Sequence, residues 1–570
     1  MKKFSVNSRK IRYGGVTVAL TALIIAVVVI FNVIFSMLSQ RFLWYIDMTP
    51  ELLYTISDDC IDLIRNGDDE FDTESPIEMV DKIRAENKAY NEANSLTSES
   101  ADYKDENASI NIIFCDDIDV LQSNAMQRYV YNSALELQKE FPDHINITNY
   151  NVIRNPSAVS KYKTTTNTSI PSSSVIIEFG SEFRVYGIAN FYTYDSGSES
   201  TEPWAYDIEK KFAAAILAVT RADSPVACIT RNHGEEFSDS GLMNTLVDAG
   251  YQIELIDLST SEIPEDCRLI VIYNPKSDFL IKDGISDIDE INKLDAFLDG
   301  TNSMMVFMSP DSPILSNLET YLEEWGISFD RYTDEAGSEY PYMIKDPSQA
   351  LTTDGFTIIS EYASTNSPVS SVTKDMTNVP YPKNVIFSNA MSISYSEFYD
   401  PSHYTDEKDA TKSYDYGHYF SNGVERNIYD LFVTSDKAEA HAAGKVVEKA
   451  TEVTPLKLMT LSVETRTTQE SNYSVISEAS YVLACGSTKF ATDSLLQSSS
   501  YGNTDLLLSV CRIIGREPVP VGLIPKPFAD YDIDNITTAE TTQYTIVLTA
   551  VPAVAAIVAG AVVLIRRKNK

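Results

Sequence analysis

The sequence predicts an α/β protein whose main body is held between two membrane-spanning helices, and three observations carry that prediction. Two uncharged apolar runs, residues 16–38 and 544–565, lie near the ends of the chain. Between them, strand-like runs alternate with segments of helical spacing, the pattern of βαβ units. The charge divides in the same way. Of 45 Lys and Arg, nine lie before residue 41 or after residue 544 with no acid among them, leaving 36 basic against 82 acidic groups in the body. At 570 residues the chain exceeds the roughly 250–300 at which a single core stops growing, so more than one domain is expected. An acidic body excludes roles that neutralise a phosphate backbone, and nucleic acid is not an expected partner.

Residues 16–38, VTVALTALIIAVVVIFNVIFSML, follow a basic tail over 1–15 and are long enough to cross a hydrocarbon layer of about 30 Å at about 1.5 Å per residue. The run is longer than the apolar region of a signal peptide and ends in no small-x-small site, which favours an uncleaved anchor. Residues 544–565, YTIVLTAVPAVAAIVAGAVVLI, precede the basic tail 566–570. Positive charge outside each run places both termini in the cytoplasm, and the body outside it, at the cell membrane. Trp44, Tyr45 and Tyr544 suit the interfacial aromatic belt.

The first outer segment, 39–107, begins with a helix N-cap signature at Ser57, followed by Asp58, Asp59 and the apolar Ile61 and Ile64. Residues 66–106 are rich in Asp, Glu, Asn and Ser and read as a loop or loosely held helix. A domain over 108–222 follows: a strand over 108–115, a helix over 126–141, strands over 145–152, 174–179 and 183–188, and a closing helix over 208–220. This order suggests a small thioredoxin-like α/β domain, although without a CxxC pair it has no dithiol chemistry.

A larger Rossmann-like domain spans 223–530. It opens with a strand over 226–230 and the turn Arg231, Asn232, His233, Gly234, Glu235, then a helix over 240–250. Strands over 252–257, 269–273 and 303–308 and a helix over 286–298 imply a parallel sheet covered on both faces. After residue 330 the alternation fades, and 391–430, with Tyr395, Tyr399, Tyr404, Tyr414, Tyr416, Tyr419 and Tyr429, reads as an exposed insertion. The pattern returns with a strand over 478–485 and a helix over 503–514. A linker over 531–543 leads to the second run.

The motifs exclude more chemistry than they suggest. GxxxxGK[ST], GxSxG and HExxH are all absent, so the chain carries no phosphate-cradling loop and none of the commonest hydrolase signatures. The six cysteines are scattered, and Cys115, Cys228 and Cys485 lie in apolar runs, where they read as small buried hydrophobes. Asp116, Asp117 and Asp119 offer carboxylate oxygens for Ca²⁺ but fit no EF-hand spacing and read as solvated loop acids. No cofactor and no metal is expected. The one suggestive cluster is His233, Gly234, Glu235 and Glu236 at the carboxyl end of a strand, where open α/β sheets place their sites. A His and a carboxylate there can form a general base, contact a ligand or partner, or brace a turn; the candidate contact residues are Asn232, His233, Gly234 and Glu235.

In order, the motifs IDMTPELLYTISDD (46–59), VACITRNHGE (226–235), LIVIYNPKSDFL (269–280), INKLDAFLDG (291–300), LFVTSDKA (431–438) and YVLACGSTKFATDSLL (481–496) resemble the auxiliary components of ABC-type transport systems related to the gliding-motility protein GldG. The family typically has Gly-His-Gly-Glu where this chain has Asn232 before His233. The resemblance implies an amidotransferase-like outer domain without established catalysis, and a partner ATPase and permease on separate chains. The expectation is a non-enzymatic, membrane-anchored accessory subunit of an ABC-type transport complex, contacting substrate or partner subunits. The alternatives are an envelope hydrolase or amidotransferase-like enzyme using His233 and Glu235, and a surface binding module using the Tyr-rich segment.

Overall fold

The computed structural model describes residues 22–23, 25–34, 55–68, 74–163, 169–194, 203–221, 224–235, 241–282, 287–363, 370–377, 382–396, 418–421, 424–447, 455–469, 475–496, 498, 500–516, 518–523 and 525–528, with six positions between 554 and 566. It separates into two compact units, residues 1–526 and 527–570. In the second, the six positions between 554 and 566 are helical.

The two-span architecture is corrected by the structure: among the described residues no helix is long and apolar enough to cross a membrane. Of the run 16–38, helix is described at 22, 23 and 25–34. The rest of that run, and all but five positions of 544–565, lie outside the described residues, as do Trp44, Tyr45 and Tyr544.

Helix α1 (Asp58–Asn66) starts where the sequence places it, with the Ser57 side chain accepting from the Cys60 amide. Helix α2 (Pro76–Ala93) occupies the polar stretch read as a loop or loosely held helix. Ser75 and Glu78 close a reciprocal capping box, and Pro76 occupies the first turn. Together these satisfy orphan amides that would otherwise oppose helix formation.

The smaller sheet comprises β1 (Ile110–Phe114), β2 (Ile145–Asn149), β3 (Ser174–Phe179) and β4 (Glu182–Gly187), in the order β2-β1-β3-β4. β1 is parallel to β2 and antiparallel to β3, and β4 is antiparallel to β3. Helices α3 (Ile118–Ser123) and α4 (Ala125–Glu140) connect β1 to β2. The hairpin β5 (Tyr192–Tyr194) and β6 (Pro203–Tyr206) leads into α5 (Ile208–Thr220), which is buried along most of its length and lies against β3 and β4. Its alanines permit that close approach.

The larger sheet has eleven strands. Five run parallel in the order β8 (Gln252–Ile256), β7 (Val226–Thr230), β9 (Cys267–Tyr273), β10 (Ser303–Phe307) and β15 (Val475–Cys485). Because successive side chains point to opposite faces, Ala227, Ile229, Leu269, Val271 and Met305 enter one core while Val226, Cys228, Ile270, Ile272 and Met304 enter another. Helices α6 (Gly241–Asp248) and α9 (Asn503–Gly515) contribute to the first core, and α7 (Glu290–Asp299) and α8 (Ser316–Glu324) to the second. Each fully buried Leu or Ile in these layers contributes about 1.5–3 kcal/mol.

Beyond β15 the sheet turns antiparallel. β14 (Lys457–Gln469) pairs with β15, and with β12 (Ile393–Tyr395) and β13 (Val424–Val433); β11 (Ile327–Phe329) pairs with β12. Part of the segment read as an exposed insertion therefore belongs to the main sheet. Ile393 and Ile428 are buried, and the Tyr395 hydroxyl donates to Asp430 at 3.1 Å. Tyr399, Tyr404, Tyr414 and Tyr416 lie outside the described residues.

Candidate functional site: the turn after β7

β7 is buried throughout and ends in the turn that presents Asn232, His233, Gly234 and Glu235 at the carboxyl edge of the parallel strands. Two residues with positive φ flank His233: Asn232 at +83° and Gly234 at +78°. Asn is among the few side chains that tolerate this region, and here its amide donates to Asp257 just beyond β8. Asn at this position is thus accommodated. Gly234 is more constrained, since a Cβ there would lie 2.9 Å from Lys276 Cβ. The close approach arises because the His233 carbonyl accepts from the amides of Lys276 and Ser277, at 2.6 and 2.9 Å, binding the turn to the loop after β9.

The turn folds the His233 ring inward. It stacks on Phe279 at 4.0 Å between centroids and 8° between planes. Its Nε2 lies 3.1 Å from Oε2 of Glu290, the first residue of α7, and that oxygen also accepts from the Leu280 amide at 2.7 Å. Its Nδ1 lies 3.4 Å from Glu235 Oε1, within ion-pair range but without hydrogen-bond alignment. Glu235 is held by its neighbours: Oε2 accepts from the His233 amide at 2.7 Å and Oε1 from the Thr230 hydroxyl at 2.9 Å. The side chains of His233, Glu235 and Glu290 are 6, 1 and 0% exposed.

The electrostatics follow from two carboxylates around one imidazole. Burial opposes the charged ring, but the negative charge of Glu235 and Glu290 on either side, with the hydrogen bond to Glu290, outweighs it and raises His233 to about 9. Burial likewise pushes Glu235 upward, and its bonds from His233, Thr230 and the backbone reverse this and leave it below the usual range. An imidazolium at neutral pH has no free lone pair, whereas a general base works best with a pKa near the operating pH. Among the described residues the side-chain partners of the ring are Glu235, Glu290 and Phe279, and no nucleophile is within reach. The arrangement is an ionic clasp joining β7, the loop after β9 and the start of α7.

The other candidate groups are also accounted for. Burial raises Cys115 to about 11 and Cys485 to about 12, and a hydrogen bond with Cys267, together with burial, raises Cys228. These three stay thiols at neutral pH, and all six cysteines are buried and free. Asp117 accepts from Asn151 at 2.7 Å and pairs with Arg154 at 3.2 Å. Among the described residues no group of three or more His, Cys, Asp or Glu is arranged to hold a metal. Glu236 lies outside the described residues.

Sequence reasoning missed Glu290, whose only local signal is that of an ordinary acid in the first turn of a helix after the Asp289 cap. It also missed the paired lysines Lys210 and Lys211 of α5. Their signal is legible: two adjacent cations inside an Ala-rich apolar helix call for buried partners.

No family model, curated protein or solved structure matches this chain. What the structure defines is a mixed α/β protein whose most suggestive sequence motif is a closed, charged turn.

Proposed function

We propose that the chain is a non-catalytic accessory subunit of an ABC-type transport complex, with its α/β body contacting the transported substrate or the partner ATPase and permease. The observation that carries the reading is the closure of the His233 turn: the one motif suggestive of catalysis is engaged in internal ion pairs. The absence of a phosphate-binding loop anywhere in the sequence means that nucleotide hydrolysis of that class would reside on another chain. The ordered resemblance to GldG-related auxiliary components supplies the complex. The proposal does not require the two-span arrangement.

The test is purification of the tagged full-length chain from its native cells in mild detergent, with mass spectrometry of what accompanies it. Recovery of an ABC ATPase and a multi-span permease in stoichiometric amounts is the expected result. Recovery of the chain alone, under conditions that preserve known transporter complexes, overturns the proposal.

A further inference from the structure

β8 closes one edge of the larger sheet and, among the described residues, pairs with β7 alone. The Gln252 amide donates to the Pro225 carbonyl at 2.9 Å, and the Ile256 carbonyl accepts from the Arg231 amide at 2.9 Å. In a parallel ladder the N–H and C=O of one residue point to the same side. Gln252, Glu254 and Ile256 therefore serve β7, and the backbone groups of Ile253 and Leu255 point away from the sheet. Among the described residues those groups have no hydrogen-bond partner. The edge is also open to solvent: Glu254 is exposed, and Leu255 is 48% exposed.

Such an edge is a template for another strand, and proteins ordinarily blunt it with Pro, Lys, a bulge or a covering element. β8 has none of the devices that sequence and register can supply. Its five residues, QIELI, include no Pro and no Lys, and they pair with β7 without a bulge. Its carboxyl end is fixed, since Asp257 accepts from the Asn232 side chain and, at 3.0 Å, from the Ser259 amide. The edge is thus preformed, and an added strand would need to order only itself.

The side chains select the occupant. Ile253 packs toward the first core and Leu255, two residues on, shares its face; Gln252 and Glu254 lie exposed on the opposite face. A strand laid along β8 places alternate side chains beside the apolar Leu255 and beside Glu254, which forms no ion pair among the described residues. Cross-strand pairing favours an apolar neighbour for the first and Lys or Arg for the second. A second copy of the chain fits poorly. Glu254 is the middle residue, so antiparallel self-pairing centred on the strand sets it against itself, and a chain of net charge -37 repels its own copy. We propose that the β8 edge takes up, as an added strand, an extended segment of a partner chain in which apolar residues alternate with Lys or Arg. The inference rests on the edge alone and stands independently of the transport reading.

Fluorescence anisotropy tests it, with the full-length chain titrated into a labelled, end-capped octapeptide that alternates Val and Lys. The comparison peptides are one alternating Val and Glu, and the Val and Lys peptide N-methylated at every residue, which keeps its charge but has no backbone donor. Two variants are run beside the parent. Leu255→Pro removes an outward N–H that β7 does not use, a position at which an edge strand tolerates Pro, and Glu254→Lys reverses the charge. The expected result is binding of the Val and Lys peptide to the parent, about fivefold weaker in Glu254→Lys, and lost both in Leu255→Pro with unchanged circular dichroism and on N-methylation. The Val and Glu peptide should bind Glu254→Lys better than the parent. If Leu255→Pro does not fold, the methylated peptide and the charge reversal carry the same distinction. No binding of the Val and Lys peptide to the folded parent overturns the proposal. So does binding that N-methylation leaves unchanged, which is attraction to an acidic surface alone, or dimerisation of the parent that Leu255→Pro abolishes, which assigns the edge to a second copy.

Discussion

Replacing His233 with Ala tests the ionic clasp most directly. In the parent, one imidazolium is shared by two carboxylates that are 1 and 0% exposed, and Glu290 Oε1 has no hydrogen-bond partner among the described residues even with the ring present. Without the ring, both acids are left in a buried site with no counterion, and the Phe279 face loses its stack. Removing one member of a buried pair costs about 3–5 kcal/mol, because the remaining charge must be desolvated unpaired or take up a proton. Urea unfolding at pH 7, extrapolated linearly, measures the loss. A second arm adds Glu290→Gln, which removes one of the stranded charges. His233→Ala/Glu290→Gln should then be less damaged than the two single losses added together, with a coupling energy of about 0.5–3 kcal/mol. A loss below about 0.5 kcal/mol for His233→Ala, as at an ordinary surface position, refutes the clasp. Additivity of the two substitutions refutes the pairing of His233 with Glu290.

Three further predictions follow from the same geometry. His233 is raised from 6.5 to about 9 on folding, so its contribution to stability is fully present below pH 6.5 and is lost as pH rises through about 9; the urea midpoint of the parent should fall across that interval, and a His233→Gln variant should show a flatter profile. Gly486, directly after β15, is pressed against backbone, since a Cβ would lie 2.0 Å from the Met391 carbonyl oxygen; Gly486→Ala should therefore destabilise by more than Gly234→Ala, whose added Cβ meets a lysine side chain at 2.9 Å, and thermal unfolding of the two variants ranks them. All six cysteines are buried and free, so a thiol reagent such as dithionitrobenzoate should react slowly with the folded chain and titrate six thiols in denaturant; rapid reaction of any of the six in the folded chain contradicts their burial.

The elements most legible in the sequence are those whose pattern is local. β7, with five consecutive apolar or small residues between Pro225 and a turn, and α5, with its apolar spacing, appear where their periodicity places them. Helix α2 shows how one local signal can be hidden by another. Its polar composition suggests a loop or loosely held helix, and only Pro76, Val80 and Asn91 are buried along it, yet the Ser75 to Glu78 capping box is written in the sequence. Strands β13 and β14 were obscured for a different reason. Both carry charges among their apolar residues: Arg426 on β13 pairs with Glu464 directly opposite on β14, and Glu464 is only 1% exposed. A cross-strand partner can neutralise a buried charge, and sequence periodicity does not reveal which residue stands opposite.

The candidate site divides along the same line. By itself the sequence determined that His233 and Glu235 occupy a turn at the carboxyl end of a parallel strand, that no phosphate-binding loop accompanies them, and that the body is acidic; these follow from residue order and composition. Only the tertiary structure decided that His233 turns inward to meet Glu290, 57 residues away, and that Asp207, Lys210, Lys211, Asp248, Lys383 and Asp505 share one cavity. The physical reason is that an ionisable group takes its protonation state and its role from the charges within a few ångströms, and those neighbours are brought together by packing between elements rather than by their spacing along the chain.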